Sequence, residues 1–280
     1  MIDEFYIGAR IDIDSYRYIV RRVVQGGMGL VLLCESTHNN KLSLLYEDRI
    51  AAKVFYPDSN QAQIKTELRI WQNLRHKNIV PLMAIGYAND WLCATMPWYE
   101  DGAVSFEGMR KNAGLKNIKN MLFQVGKALD YAHAKQSILH LDIKPSNILS
   151  DGTSFFLADW GISKISANSA LKLGPTSGGT LPYMSPERFS VEPDSASSDI
   201  YSLGMTAFEL LTGRLPFDAR NTDDLVQSII SGRYFLTIRT ASKIIPPGWM
   251  NFILKCCQPN HAHRISTYSE FLAITTTLEE

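Results

Sequence analysis

His140-Leu141-Asp142-Ile143-Lys144-Pro145-Ser146-Asn147-Ile148-Leu149 is the stretch on which the reading of this chain turns. It gathers a histidine, an aspartate, a lysine and an asparagine directly after a segment with helical periodicity, and Asp159-Trp160-Gly161 follows it. Moving a phosphoryl group onto a hydroxyl needs a carboxylate that positions the attacking oxygen and oxygen ligands that hold magnesium against the phosphates. Asp142 suits the first task, and Asn147 with Asp159 the second. Lys144 can neutralise charge on the group in transit. The bland alternative is a polar turn with helix caps, which leaves these residue types at these spacings unexplained.

Upstream of this stretch, Ile118, Met121, Leu122, Val125 and Leu129 repeat at the spacing of a buried helix face. Earlier still the period changes. Residues 16–24, 30–34 and 50–55 are short runs rich in β-branched and aromatic residues, which predicts strands. Ile64, Leu68, Trp71 and Leu74 then fall on one helical face within 61–74. Downstream, 199–211 predicts an apolar helix closed by Gly213 and Pro216, with shorter helices over 222–231, 249–257 and 267–278. Pro145, Pro182, Pro186 and Pro193 mark a loop-rich middle. A strand-rich first part and a helix-rich second part give an α+β class with two lobes.

The chain has 280 residues, within reach of one large domain or two close lobes, and is 45% hydrophobic and 20% charged, as expected of a globular chain with a sizeable core. Lys+Arg and Asp+Glu both total 28, which argues against a nucleic-acid-wrapping surface. Cys34, Cys93, Cys256 and Cys257 show neither a disulfide framework nor zinc spacing, so a reducing, cytoplasmic setting is expected. The start lacks a signal peptide's basic and apolar regions, and no stretch is apolar enough for long enough to cross a bilayer, so no membrane role is expected within this chain.

Gln25-Gly26-Gly27-Met28-Gly29 sits between two strand-like runs. Glycines there let backbone N–H groups approach phosphate oxygens, and they serve a plain hairpin turn equally well. A strand follows them, whereas a P-loop or dinucleotide fold would place a helix there. Lys53, in the apolar run Ile50-Ala51-Ala52-Lys53-Val54, reads either as an edge residue with its amine in water or as a cation for the α- and β-phosphates. In the second case it needs an orienting carboxylate, for which Glu67 is the candidate.

With these pieces in order, the chain resembles the eukaryotic-type serine/threonine protein kinase family over roughly residues 15–275. The resemblance rests on Gly26/Gly29, Ile50-Ala51-Ala52-Lys53, His140 through Asn147, Asp159-Trp160-Gly161 and Ser185-Pro186-Glu187. Leu74 through Val80, Asp199 through Gly204 and Arg264 add to it. It implies one kinase domain over 1–280, with a small strand-rich N-lobe carrying one main helix (about 1–96), a hinge (about 97–100) and a larger helical C-lobe (about 101–280). It implies ATP and Mg²⁺, with Asp142, Lys144, Lys53 and Glu67 as catalytic residues and Asn147 and Asp159 as metal ligands. Nucleotide contacts would come from Val24, Gly26, Gly27, Gly29, Val31, Ala51, Lys53, Met96, Tyr99, Asn147 and Asp159. It further implies Asp199 as a brace for the catalytic loop and Glu187–Arg264 as a buried pair. Lys144 and Thr180 look like the serine/threonine branch, with Thr180 at the protein substrate.

Four positions depart from the family's pattern. Val24 replaces the first loop glycine, and Trp160 replaces the usual Phe, so its indole N–H needs a partner. Pro97 stands where a Glu is usual, which removes one N–H from the hinge. Met96 there reads either as the residue behind the adenine or as core. Leu141 replaces an Arg that in the family pairs with a phosphorylated activation loop, so activity is expected not to depend on phosphate at Ser166, Ser169, Thr176 or Ser177 by that route. Two other functions compete with an active protein kinase: a pseudokinase that binds ATP as a scaffold, and a small-molecule kinase of related fold. The second typically lacks the segment from Gly179-Thr180 to Glu187.

Overall fold

Strands whose side chains alternate between interior and water close the amino-terminal part into a barrel. The computed structural model describes residues 4–26, 29–37, 48–111, 114–160, 164–165, 180–190 and 192–280. They fall into two compact units, Met1–Arg75 with Val80–Glu100, and His76–Ile79 with Asp101–Glu280. Gly27, Met28, Gly161, Ser166, Ser169, Thr176, Ser177, Gly178 and Gly179 lie outside the described residues.

The first unit contains β1 (Arg10–Ile13), β2 (Tyr16–Gly26), β3 (Gly29–Ser36), β4 (Arg49–Phe55), α1 (Gln61–Gln72), β5 (Ala84–Ala88) and β6 (Trp91–Pro97). The strands form a closed barrel in the order β1-β2-β3-β4-β6-β5. β1 completes it by pairing with β2 (Ile11↔Tyr18) and β5 (Ile13↔Ala88). Along β1 the isoleucines turn inward and Arg10 and Asp12 outward, the two-residue period of a half-buried strand. Phe5, just before β1, is buried and meets Trp91 edge-on at 5.3 Å between ring centroids. Helix α1 opens on Asn60, whose side chain accepts from the Gln63 N–H, and buries Ile64, Leu68 and Trp71, the stripe read from the sequence. The sequence pattern predicted β2, β3, β4 and α1. It did not predict β1, β5 or β6.

The second unit holds α2 (Phe106–Lys111), α3 (Leu115–Gln136), β7 (Ile138–Leu139), β8 (Ile148–Ser150), β9 (Phe155–Leu157), β10 (Lys164–Ile165), α4 (Ala196–Thr212), α5 (Thr222–Ser231), α6 (Tyr234–Thr240), α7 (Pro247–Cys256) and α8 (Tyr268–Thr276). β8 and β9 make a small hairpin, and β7 pairs with β10. Helix α4 is buried on nearly every side and forms the unit's axis. A capping box of Ser195 and Ser198 starts it, and Gly213, at φ +77°, ends it. Because α7 packs closely on α4, a Cβ on Gly204 would come to 2.6 Å from both Cys256 Cβ and Cys257 Sγ. Gly204→Ala is therefore expected to cost about 1–3 kcal/mol by overpacking. That exceeds the roughly 1 kcal/mol alanine gains over glycine inside a helix. Urea unfolding of the variant measures the difference, and an unchanged or raised midpoint would contradict it.

All four cysteines are buried and unpaired by disulfides. Burial first, and then the nearby Cys93, push the Cys34 thiol up to about 12. No helix among the described residues is long and apolar enough to cross a membrane.

Candidate active site

The segment between β7 and β8 is an irregular turn, and its shape is set by hydrogen bonds to single peptide groups. The Asp199 carboxylate, on the first turn of α4, accepts from the backbone N–H of His140 (2.9 Å) and of Leu141 (2.8 Å). Tyr268 of α8 donates its hydroxyl to the same carboxylate at 2.8 Å. Burial first, and then the Asp199 charge, push that phenol well above its ordinary value, so it remains a donor. The backbone brace implied for Asp199 is thus present, made by two amides.

His140 is fully buried and ties the turn to β9: its Nε2 lies 2.9 Å from the Ala158 carbonyl and its Nδ1 accepts from the Asp142 N–H at 3.2 Å. Those two bonds require the tautomer with the proton on Nε2. Its ring meets the fully buried Trp160 edge-on at 4.7 Å, and the Trp160 indole N–H finds its partner in the Leu157 carbonyl at 3.3 Å. Trp160 thus fills an apolar slot with its polar atom satisfied.

Leu141 and Asp159 both have left-handed backbone, at φ +64° and +60°. For a leucine that conformation costs about 1–2 kcal/mol, so other contacts must hold it. The Leu141 side chain is only 2% exposed. Its carbonyl accepts from Arg188 Nη1 at 2.6 Å, and Arg188 also pairs through Nε with Asp194 at 3.4 Å.

Four of the residues singled out in the sequence meet at this turn. Lys144 Nζ lies 3.1 and 3.0 Å from the two oxygens of the Asp142 carboxylate and donates to Thr180 Oγ1 at 2.7 Å. Asn147, in the short 3₁₀ turn Pro145–Asn147, donates Nδ2 to the Asp142 carbonyl (2.7 Å) and to its Oδ2 (2.8 Å). Asp142, Asn147 and Thr180 are buried, and Lys144 is partly so. Asp159 follows Ala158, whose N–H donates to the Asn147 carbonyl at 2.9 Å. Beside Lys144 and Thr180 opens a groove of about 490 Å³, also lined by Ala103, Ser105, Tyr183 and Glu209. The Tyr183 hydroxyl donates to Glu209 at 2.6 Å.

Below this turn lies the pair implied for Glu187 and Arg264. Arg264 approaches the carboxylate in a fork, at 2.8 and 3.1 Å, and Ser198 Oγ adds a third donor at 2.8 Å. Both ionic side chains are almost wholly out of water, at 3% and 0% exposure. Arg264 also lies 5.0 Å above the Tyr201 ring.

The remaining candidates belong to the amino-terminal unit. Gly26 and Gly29 face each other across the β2–β3 hairpin, and Val24 pairs with Val31 two positions down. A Cβ on Gly29 would overlap the Val54 carbonyl of β4, so strand packing by itself demands glycine there. Val24 is 45% exposed. Lys53 sits mid-strand between Val31 and Ala94, half-buried, with Nζ 5.5 Å from the Phe55 ring centroid. Glu67, half-buried on α1, accepts from Gln63 Nε2 at 2.8 Å. Ala51 pairs with Met96, and both are buried. Tyr99 follows β6, half-buried. His140 as a hub and Arg188 as a partner of the catalytic turn were not predicted. No sequence signal pointed toward Arg188, whose partner is a backbone carbonyl.

A family model described as "Protein kinase domain" matches residues 18–274. Among curated proteins, the chain is 30% identical over 276 residues to serine/threonine-protein kinase PrkC of Bacillus subtilis, covering 95% of this chain and 41% of that protein. It is 31% identical over 221 residues to serine/threonine-protein kinase Nek1 of Mus musculus (77% and 18% covered). It is also 31% identical over 217 residues to the probable serine/threonine-protein kinase PknB of Lactococcus lactis (75% and 33% covered). The chain spans less than half the length of each of these relatives.

Proposed function

Because the chain belongs to the protein kinase family, we propose that it transfers the γ-phosphoryl group of ATP to serine and threonine hydroxyls of protein substrates, with Mg²⁺ as cofactor. The observation that carries this reading is the state of Asp142: a buried carboxylate fixed by Lys144 on both oxygens and by Asn147 on one. A carboxylate so held can accept the proton of an incoming hydroxyl without first reorganising. The hydroxyl oxygen bonds to the γ-phosphorus, the bond from that phosphorus to the β-γ bridging oxygen breaks, and the proton passes to Asp142. ADP leaves with the bridging oxygen.

Lys144 bridges Asp142 and Thr180, so it can follow charge from the carboxylate to the phosphoryl oxygens, while Thr180 fixes its reach. The donor set suits magnesium. Both Asn147 N–H bonds are directed at Asp142, which leaves its amide oxygen free of that task, so it and the Asp159 carboxylate would be the ligands of a cation. Magnesium held there would supply charge neutralisation on the β- and γ-phosphates. On the same reading Lys53, oriented by Glu67, takes the α- and β-phosphates, and Gly26, Gly27, Gly29, Val24 and Val31 cover them. Ala51, Met96 and Tyr99 meet the adenine. The groove beside Thr180 seats the peptide chain.

The test is incubation with labelled ATP, Mg²⁺ and a mixed protein substrate, followed by phosphoamino-acid analysis. Phosphoserine and phosphothreonine are expected. Bound ATP without transfer would instead make the chain a scaffold, and label found only on small molecules would make it a small-molecule kinase. Leu141, apolar and buried, offers no charge to a phosphorylated loop. Replacing Ser166, Ser169, Thr176 and Ser177 together with Ala is therefore expected to keep kcat within about twofold. A near-total loss would refute that independence.

A further inference from the structure

We propose that Arg188 is a positioning residue for the catalytic turn, holding the peptide group that joins Leu141 to Asp142. The proposal rests on the reading of Asp142 as the base. That peptide group is gripped at both ends. Its carbonyl, on Leu141, accepts from Arg188 Nη1 at 2.6 Å, and its N–H, on Asp142, donates to His140 Nδ1 at 3.2 Å. The preceding peptide group is held separately, by Asp199 on the Leu141 N–H.

The grip matters because Asp199 restrains the left-handed Leu141, at φ +64°, only through the preceding peptide group, so the 141–142 plane needs holders of its own. Rotation of the 141–142 peptide plane changes the φ of Asp142 and swings its carboxylate away from Lys144 and Asn147. The Arg188 guanidinium is itself fixed. Its side chain is 7% exposed, and its Nε is anchored on Asp194, in the segment that leads into α4. Here the arginine comes from the turn after Glu187 and grips the backbone, a contact that needs no modification to form.

The experiment compares Arg188→Met, Arg188→Lys and Asp194→Asn with the unmodified chain. It measures kcat, KM for ATP and for a peptide substrate, the unfolding midpoint, and hydrogen exchange of the Asp142 amide followed by NMR. Arg188→Met removes the donors and is expected to lower kcat by about tenfold to a hundredfold, the scale of one charge-assisted hydrogen bond lost from the reacting geometry. Both KM values should stay near their original size, and the Asp142 amide should exchange faster relative to the amides of α4. Arg188→Lys, which keeps one charged donor, should recover part of kcat. Asp194→Asn, which leaves the bond to Leu141 in place, should lower the unfolding midpoint more than it lowers kcat. Should Arg188→Met not fold, Arg188→Lys carries the test, with intermediate kcat and faster exchange at Asp142. The proposal is overturned if exchange at Asp142 does not move, or if kcat falls equally in Arg188→Lys and Asp194→Asn in step with the midpoint. Exchange does not depend on turnover, so an inactive parent chain would sink the kinase reading while leaving the grip itself measurable.

Discussion

Asp142→Asn is expected to lower kcat by about 10²–10⁴, the range a positioned general base contributes, with KM for ATP near its original value. Asparagine has the volume of aspartate and keeps one oxygen for Lys144, so the turn has little reason to rearrange. It cannot take a proton; with its oxygen in the place of Oδ2 it still accepts from Lys144 and Asn147, and its amide nitrogen, in the place of Oδ1, gives up only the second Lys144 contact, now 3.1 Å. The loss should therefore fall on the chemical step. A variant with full kcat and a raised KM for ATP would move Asp142 from proton transfer to nucleotide binding and break the mechanism. The unfolding midpoint should change little, because Asp199, Tyr268 and His140 hold the turn from the other side.

Arg264→Met is the counterpart in stability, expected to cost about 3–5 kcal/mol, the penalty for stranding one partner of a buried ion pair. It removes the fork on Glu187 and also the donors that reach the carbonyls of Ser197 and Gln258. Burial alone would raise the Glu187 carboxyl. The hydrogen bonds and charge of Arg264 overcome this and hold it below its usual value, with help from its own backbone and Ser198. In the folded chain that pKa is depressed, so the pair's contribution is present above the ordinary carboxylate range and is lost as pH falls through the lower, folded value. In Arg264→Met the burial effect is opposed only by the Glu187 backbone and Ser198, so Glu187 protonates at higher pH than in the unmodified chain. The penalty should then be largest near pH 8 and shrink as the medium is acidified toward pH 5. Urea unfolding at the two pH values reads this directly. A pH-independent penalty, or one below about 1 kcal/mol, would show that the pair behaves like a solvent-exposed one.

The turn proposed as catalytic was legible because its residues are local in sequence: Asp142, Lys144 and Asn147 lie within six positions, and phosphoryl transfer asks for those residue types together. Helices α1, α3 and α4 were legible because each carries a long apolar stripe. β1 was not, since four residues of alternating burial are too few to stand out. β5 was hidden because it opens on partly buried residues with no clean alternation. β6 was hidden because five consecutive buried residues read as strand or helix alike. Arg188 was invisible for another reason. Its partner is a backbone carbonyl 47 positions away, exposed to it by a left-handed φ that no side-chain pattern encodes. The two glycines show the converse: the residue type was plain, but Gly29 has a packing reason that would hold with or without phosphate nearby.

The family match begins at residue 18, yet Phe5, Ile11 and Ile13 are already buried before it. That short lead-in turns an open sheet into a ring. β1 covers residues 16–19 of β2 and meets β5 at Ile13↔Ala88, so part of each strand's row of N–H and C=O groups is already paired within the chain. A recombinant fragment trimmed to the family boundary would uncover both rows at once, together with the Trp91 face that Phe5 shields. It would stick to its own copies for reasons unrelated to its nucleotide or its substrate.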